Sequence, residues 1–130
     1  MTTLEELEEE AREKGLRVID LPLEHTDGLC CGDLIGIRSG QTTAEKTCVL
    51  AEELAHAELT VGDITDQTDV RNRKQELAAR AAAYDRLIGI HRLIDALRHG
   101  YRRPHEIAEY LEVTEEFLMY ALAHYREKFG

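Results

Sequence analysis

The chain has no tryptophan and only two phenylalanines, so its interior must be aliphatic, built from Leu, Ile, Val and Ala. It has no apolar run near the roughly 18–20 residues needed to cross a bilayer. Its first stretch, MTTLEELEEEAREKG, is acidic where a secretion signal would be basic and then apolar. These absences lead us to expect a cytoplasmic protein with no membrane partner. Cysteines number three; Cys30 and Cys31 are adjacent and Cys48 stands alone, a poor disulfide framework, so all three are expected as reduced thiols. Basic side chains are also scarce, 16 against 26 acidic ones, for a net charge of −10. That balance argues against a general nucleic-acid binder.

What is present is a globular composition, 43% hydrophobic and 32% charged over 130 residues, enough for one domain with a real core. The charge is uneven. Residues 1–68 carry a net −11, residues 69–103 a net +5 and residues 104–130 a net −4. The basic middle either meets an acidic partner or neutralises the acidic half, and neutralisation is the favoured reading.

Hydrophobic spacing predicts α+β architecture in the order α-β-β-β-α-α followed by three short helices. Thr3 is expected to cap a first helix that ends at Gly15. Residues 16–23 read as a strand, and Leu29–Cys31 with Leu34–Arg38 as a hairpin punctuated by Gly28, Gly32 and Gly40. A small antiparallel three-stranded sheet is the natural assembly. Thr43 should cap a helix through Leu59 with Cys48, Val49, Ala51, Ala55 and Leu59 inward. After a loop at TVGDITDQTD, Asp69 should cap a helix to Ile88 with a stripe of Leu77, Ala81, Tyr84 and Ile88. Gly89 interrupts, Leu93, Ile94 and Leu97 mark a shorter helix, Pro104 suits the first turn of the next, and Thr114 caps the last.

One further absence is chemical. The stretch KTCVLAEELAHAEL places Glu52, Glu53 and His56 where a helical zinc peptidase carries His-Glu-x-x-His, and the first histidine is missing. Residues four apart share a helix face, so Glu52 and His56 can grip one ion. Glu53, offset by about 100°, can reach a metal-bound water without being a ligand. A third ligand must come from elsewhere, and the next helix offers Glu76, followed by the small Ala79, Ala82 and Ala83 that would let two helices approach. A solvated acidic helix face has the same spacing.

The stretches GLCCGDLIGI, CVLAEELAHAELTVGDI and NRKQELAARAAAYDRLI together resemble the ImmA/IrrE family of metallopeptidases of mobile elements and stress regulators. Glu76, Ala79, Ala83 and Leu87-Ile88 fall where that family has its second metal-binding helix, with Gly89 where proline is common. The resemblance covers roughly residues 1–100. It implies a zincin-like helical core beneath the sheet, Glu53 as catalytic base, and Glu52, His56 and Glu76 as metal ligands, with Glu52 in the place of the first histidine. The implied cofactor is Zn²⁺, with Mn²⁺ as a substitute, and the implied substrate is a helix-turn-helix repressor, cut to derepress mobile-element or stress genes. A glutamate there neutralises more of the dication's charge and should weaken both zinc binding and water activation. Without metal, the crowded carboxylates should raise the pKa of at least one of them or keep His56 protonated.

Residues 101–130 have the pattern of a helix-turn-helix, with Ile107, Ala108 and Leu111, a short turn, then Phe117, Leu118 and Leu122. The second helix opens on Glu115 and Glu116, against a phosphate backbone, and offers no base-reading side chain in its first turns. Direct nucleic-acid binding is therefore not expected. The segment reads as a scaffold packed on a peptidase domain of residues 1–100, or holding a protein partner. The cysteines match no zinc-knuckle spacing and read as small buried hydrophobes. His25, His91, His99, His105 and His124 read as surface or capping residues. A catalytically weak module that antagonises a repressor by contact alone is the competing function, and a DNA-binding regulator using the C-terminal helices is a third.

Overall fold

The structure is a computed structural model describing residues 1–59 and 69–130, the side chains of residues 69–72 excepted. The loop expected at residues 60–68 and the capping side chain of Asp69 lie outside the described residues. Among the described residues the order is α1 (Thr3–Glu13), β1 (Arg17–Leu21), β2 (Gly28–Cys31), β3 (Leu34–Arg38), α2 (Thr43–Leu59), α3 (Asp69–Leu87), α4 (Gly89–Arg98), α5 (Pro104–Leu111) and α6 (Glu115–Phe129). The α+β class and the element order are as the spacing predicts. No helix among them is long and apolar enough to cross a membrane.

Threonine hydroxyls set three helix starts, two of them one residue earlier than expected. Thr2, not Thr3, accepts the Glu5 N–H at 3.2 Å, and the Glu5 carboxylate accepts the Thr2 N–H at 2.9 Å. Thr42, not Thr43, makes the same reciprocal pair with Glu45, at 3.1 and 2.8 Å. For α2 the physical reason is the capping box, which needs a carboxylate three residues on; Thr42 has Glu45 there, whereas Thr43 has Lys46. For α1 both Thr2 and Thr3 have a glutamate at that spacing, and it is the tertiary contact of Thr3 that leaves Thr2 as the cap. Thr3 is instead buried and donates its hydroxyl to Glu112, tying α1 to the end of α5. Thr114 caps α6 as expected, accepting the Phe117 N–H at 3.0 Å.

The sheet is mixed rather than antiparallel. Its order is β1-β3-β2, with β1 parallel to β3 and β2 antiparallel to β3. Parallel strands need a long connection, and here residues 22–33 supply it by running out along β2 on the far edge. Gly32 opens the tight turn into β3 at φ +60°, the left-handed value a hairpin turn favours at that position. β3 is thereby central, and Ile35, Gly36 and Ile37 are buried.

α2 packs against β2, β3, α1 and α3. Thr47, Cys48, Leu50, Ala51, Leu54 and Ala55 are its buried positions. Leu50 and Leu54 were absent from the expected stripe, and Leu59 is exposed. On α3 the buried face is Ala79, Ala83, Tyr84 and Leu87, continuing into Ile88, while Leu77 is 58% exposed and Ala82 faces solvent. On α2, packing against several neighbours buries a broader arc than one stripe, whereas on α3 the buried face is rotated from the expected one, toward Ala79, Ala83 and Leu87 and away from Leu77. One hydrophobic cluster runs from Leu7 of α1 through Ile35, Leu50 and Leu87 to Leu111, Leu118 and Tyr125. Each such side chain contributes about 1.5–3 kcal/mol by leaving water.

Candidate functional site

The cleft is built around the solvent-facing arc of α2. Glu52 and Glu53 are half-buried there, and β2 comes close because Gly28 has no side chain. A Cβ at Gly28 would sit 2.5 Å from Val49 Cγ1 and 3.2 Å from Glu53 Cγ. α3 lies along α2 with Ala79 and Ala83 fully buried; Glu76 precedes them by one and two turns, on the same helix face.

That register brings Glu76 to His56. Their Oε2 and Nε2 atoms lie 3.2 Å apart, with the imidazole 16% and the carboxylate 46% exposed. Glu52, Glu53 and Glu76 all line one cavity of about 730 Å³. Burial pushes the Glu53 carboxyl up to about 7, helped by the charges of Glu76 and Glu52. Glu52 is raised too, first by burial, against a lowering field from Arg80. The expected pKa rise is present, but desolvation rather than charge crowding is its main source. Glu53 thus binds its proton far more tightly than an exposed glutamate, in the range where a base can take and return one near neutral pH.

The placements differ in one respect from the implied ligand set. His56 and Glu76 touch, while among the described residues no three His, Cys, Asp or Glu side chains already stand together as a group that could hold a metal ion. Glu52 shares the cavity with Glu76 and feels its charge. The donor types suit a hard or borderline dication, an imidazole and carboxylates beside a basic carboxylate.

Several cavity residues were not anticipated. Arg80, one turn beyond Glu76 on α3, is the cation that acts on Glu52; helical spacing alone could have found it. Thr114, Glu116, Phe117 and Tyr120 of the last turn and α6 also line the cavity, and no local signal tied them to it. Phe117 packs edge-on against Tyr84, their rings 5.2 Å apart.

The cysteines are all free. Cys48 is buried beside Thr114 and its thiol is pushed up to about 11 by that burial. Cys30 is half-buried and raised for the same reason, then by Glu53. Both environments favour thiol over thiolate, the opposite of what a nucleophile needs. Cys31 is exposed, contrary to the expectation that all three are buried; it ends the edge strand β2, pointing away from α2 as strand alternation requires of one of two neighbours.

No curated protein matches the chain. The family model described as IrrE N-terminal-like domain, Peptidase M78, matches residues 11–123, a span from the end of α1 to within α6 that takes in the cleft and every element around it. The chain belongs to this metallopeptidase-like family of IrrE N-terminal-like domains.

Proposed function

We propose that this protein is a metal-dependent endopeptidase of the cytoplasm that cuts a helix-turn-helix repressor, relieving repression of mobile-element or stress genes. The observation that carries the reading is Glu53: a carboxyl held near neutral pKa, one residue from Glu52 and facing the same cavity as Glu76, whose carboxylate meets His56. Glu52, His56 and Glu76 would hold Zn²⁺, or Mn²⁺ in its place. A bound dication supplies Lewis acidity, drawing the pKa of a water toward about 7 and polarising a carbonyl.

The chain's own residues supply the remainder. Glu53 takes the water's proton at its carboxylate and returns it to the leaving amine. Burial of Glu53 raises its proton affinity enough for the first transfer, while its position one residue from Glu52 keeps it out of the ligand set. β2 is an edge strand, and Gly28 lines the cavity; although the Gly28 carbonyl accepts the Thr26 hydroxyl at 3.0 Å, an edge strand suits an extended peptide laid beside it. In this reading residues 1–100 form the peptidase domain on a zincin-like core, and residues 101–130 are helix-turn-helix-like helices packed on it.

Incubation of the protein with a repressor encoded beside it, in Zn²⁺ or Mn²⁺, should yield two fragments, and Glu53→Gln should yield none. A second reading draws on the lack of a ready three-donor cluster among the described residues and on Glu52 in place of histidine: a contact-only antirepressor. Equal inhibition of the repressor by the wild type and by Glu53→Gln, with no fragments, selects that one.

A further inference from the structure

The cavity has a wall that this chemistry does not use. Among the described residues six carboxylates line it, from Asp27, Glu45, Glu52, Glu53, Glu76 and Glu116, against one guanidinium, that of Arg80. Three are already engaged. Asp27 pairs with Arg38 Nε at 3.0 Å, Glu45 closes the cap of α2, and Glu76 stands against His56. Glu52 and Glu53 belong to the chemistry. Glu116 is left: exposed, with no ion pair or hydrogen bond among the described residues.

Two further features of the same cavity indicate what it would accept. Gln41 Oε1 is buried without a hydrogen-bond partner among the described residues, one more acceptor in a lining already rich in them. Beside Glu116, on α6, the 60%-exposed Tyr120 offers aromatic surface, with Val49 and the buried Phe117 and Tyr84 also in the lining. Acceptors next to an exposed ring suit a planar cation, which can pair with a carboxylate and stack on an aromatic face. At about 730 Å³ the space takes several side chains, within the usual range of binding clefts.

We infer that the first two turns of α6 are the specificity wall of the cleft, and that the cleft selects polypeptide segments carrying an arginine beside an apolar residue. Glu116 receives the cation and Tyr120 covers its stem. This rests on reading the cavity as a peptide cleft, but not on the metal ligands.

The test is fluorescence anisotropy with two labelled peptides of equal length, one carrying two arginines around a leucine and the other glutamates in their place. The full chain carries Glu53→Gln to prevent turnover and is titrated with and without Zn²⁺. The arginine peptide should bind roughly tenfold more tightly than its acidic twin. Adding Glu116→Gln or Tyr120→Ala should cut that preference by about threefold or more. Glu9→Gln, on the exposed side of α1, removes the same charge elsewhere and should leave the preference intact. Equal affinity for the two peptides overturns the inference, and so does a loss on Glu9→Gln as large as on Glu116→Gln. The failures are separable: a preference that persists in a protein that never binds Zn²⁺ removes the hydrolase reading and leaves this one, while Zn²⁺ binding without preference does the reverse.

Discussion

Four glutamates on two helices differ in how their carboxyls are held, even though Glu45 lines the same cavity as Glu52 and Glu53. Glu5 and Glu45 sit in helix caps, where hydrogen bonds from Thr2 and Thr42 hold their carboxyls below the ordinary value. Glu52 and Glu53, about two turns further along the helix that Glu45 starts, are pushed above it by burial. The cap glutamates are where a carboxylate would choose to be. The cleft glutamates are held against their preference, and such a position persists when it serves something other than folding.

The largest effect expected from breaking this contrast is at Glu53. Glu53→Gln should lower cleavage by at least about 100-fold, the usual contribution of a positioned base. The same change should alter how stability depends on pH in metal-free protein. A carboxyl at about 7 when folded, against 4.5 ordinarily, gives stability that is full below pH ~4.5 and is lost as pH rises through 7, by about 2–3 kcal/mol. Urea titrations at pH 5 and pH 8 should show that loss in the wild type and much less of it in Glu53→Gln. Glu5 and Glu45 act in the opposite sense, their stabilisation being lost as pH falls through their lowered pKa values.

Next in size is Gly28→Ala. Its methyl would press on Val49 Cγ1 and the stem of Glu53, so β2 must retreat from α2. We expect a loss of about 1–3 kcal/mol by urea denaturation, with activity falling further than stability explains because Glu53 moves. A wild-type melting curve with full activity would mean that the close approach of strand and helix does not set the cleft.

Tyr125→Phe probes the satisfied region. Tyr125 donates to Asp85 at 2.9 Å and accepts the Gly89 N–H at 3.2 Å, bracing α6 against the break between α3 and α4. Burial and the Asp85 bond push its phenol up to about 12. Removing the hydroxyl should cost about 1–2 kcal/mol and leave metal binding unchanged. Smallest is Thr42→Ala, about 1 kcal/mol for a lost cap, read by urea denaturation; it also frees Glu45 at the cavity rim.

The helices were legible in the sequence because their signals are local. Thr114, Pro104 and Gly100 each mark a boundary within a few residues of its position in the fold. The two shifted caps fall at Thr-Thr pairs, where a single residue decides; Lys46 three after Thr43 marks Thr42 as the cap of α2, while at Thr2-Thr3 only the distant contact with Glu112 decides. The parallel pairing of β1 with β3 was not legible, since nothing within residues 16–38 states that β2 lies outside rather than between. The cleft was half legible. Glu52, Glu53 and His56 are fixed by helical spacing, and Glu76 by resemblance to a family with a metal-binding second helix. The α6 wall was not, because what brings Glu116 and Tyr120 to the cavity is core packing of Phe117 against Tyr84, a contact between distant parts of the chain.

The most direct test of the account is calorimetric titration of Zn²⁺ into metal-stripped protein. The account predicts binding at one site per chain, abolished by His56→Ala and strongly weakened by Glu76→Gln and Glu52→Gln. No binding, or binding that survives His56→Ala unchanged, would contradict it.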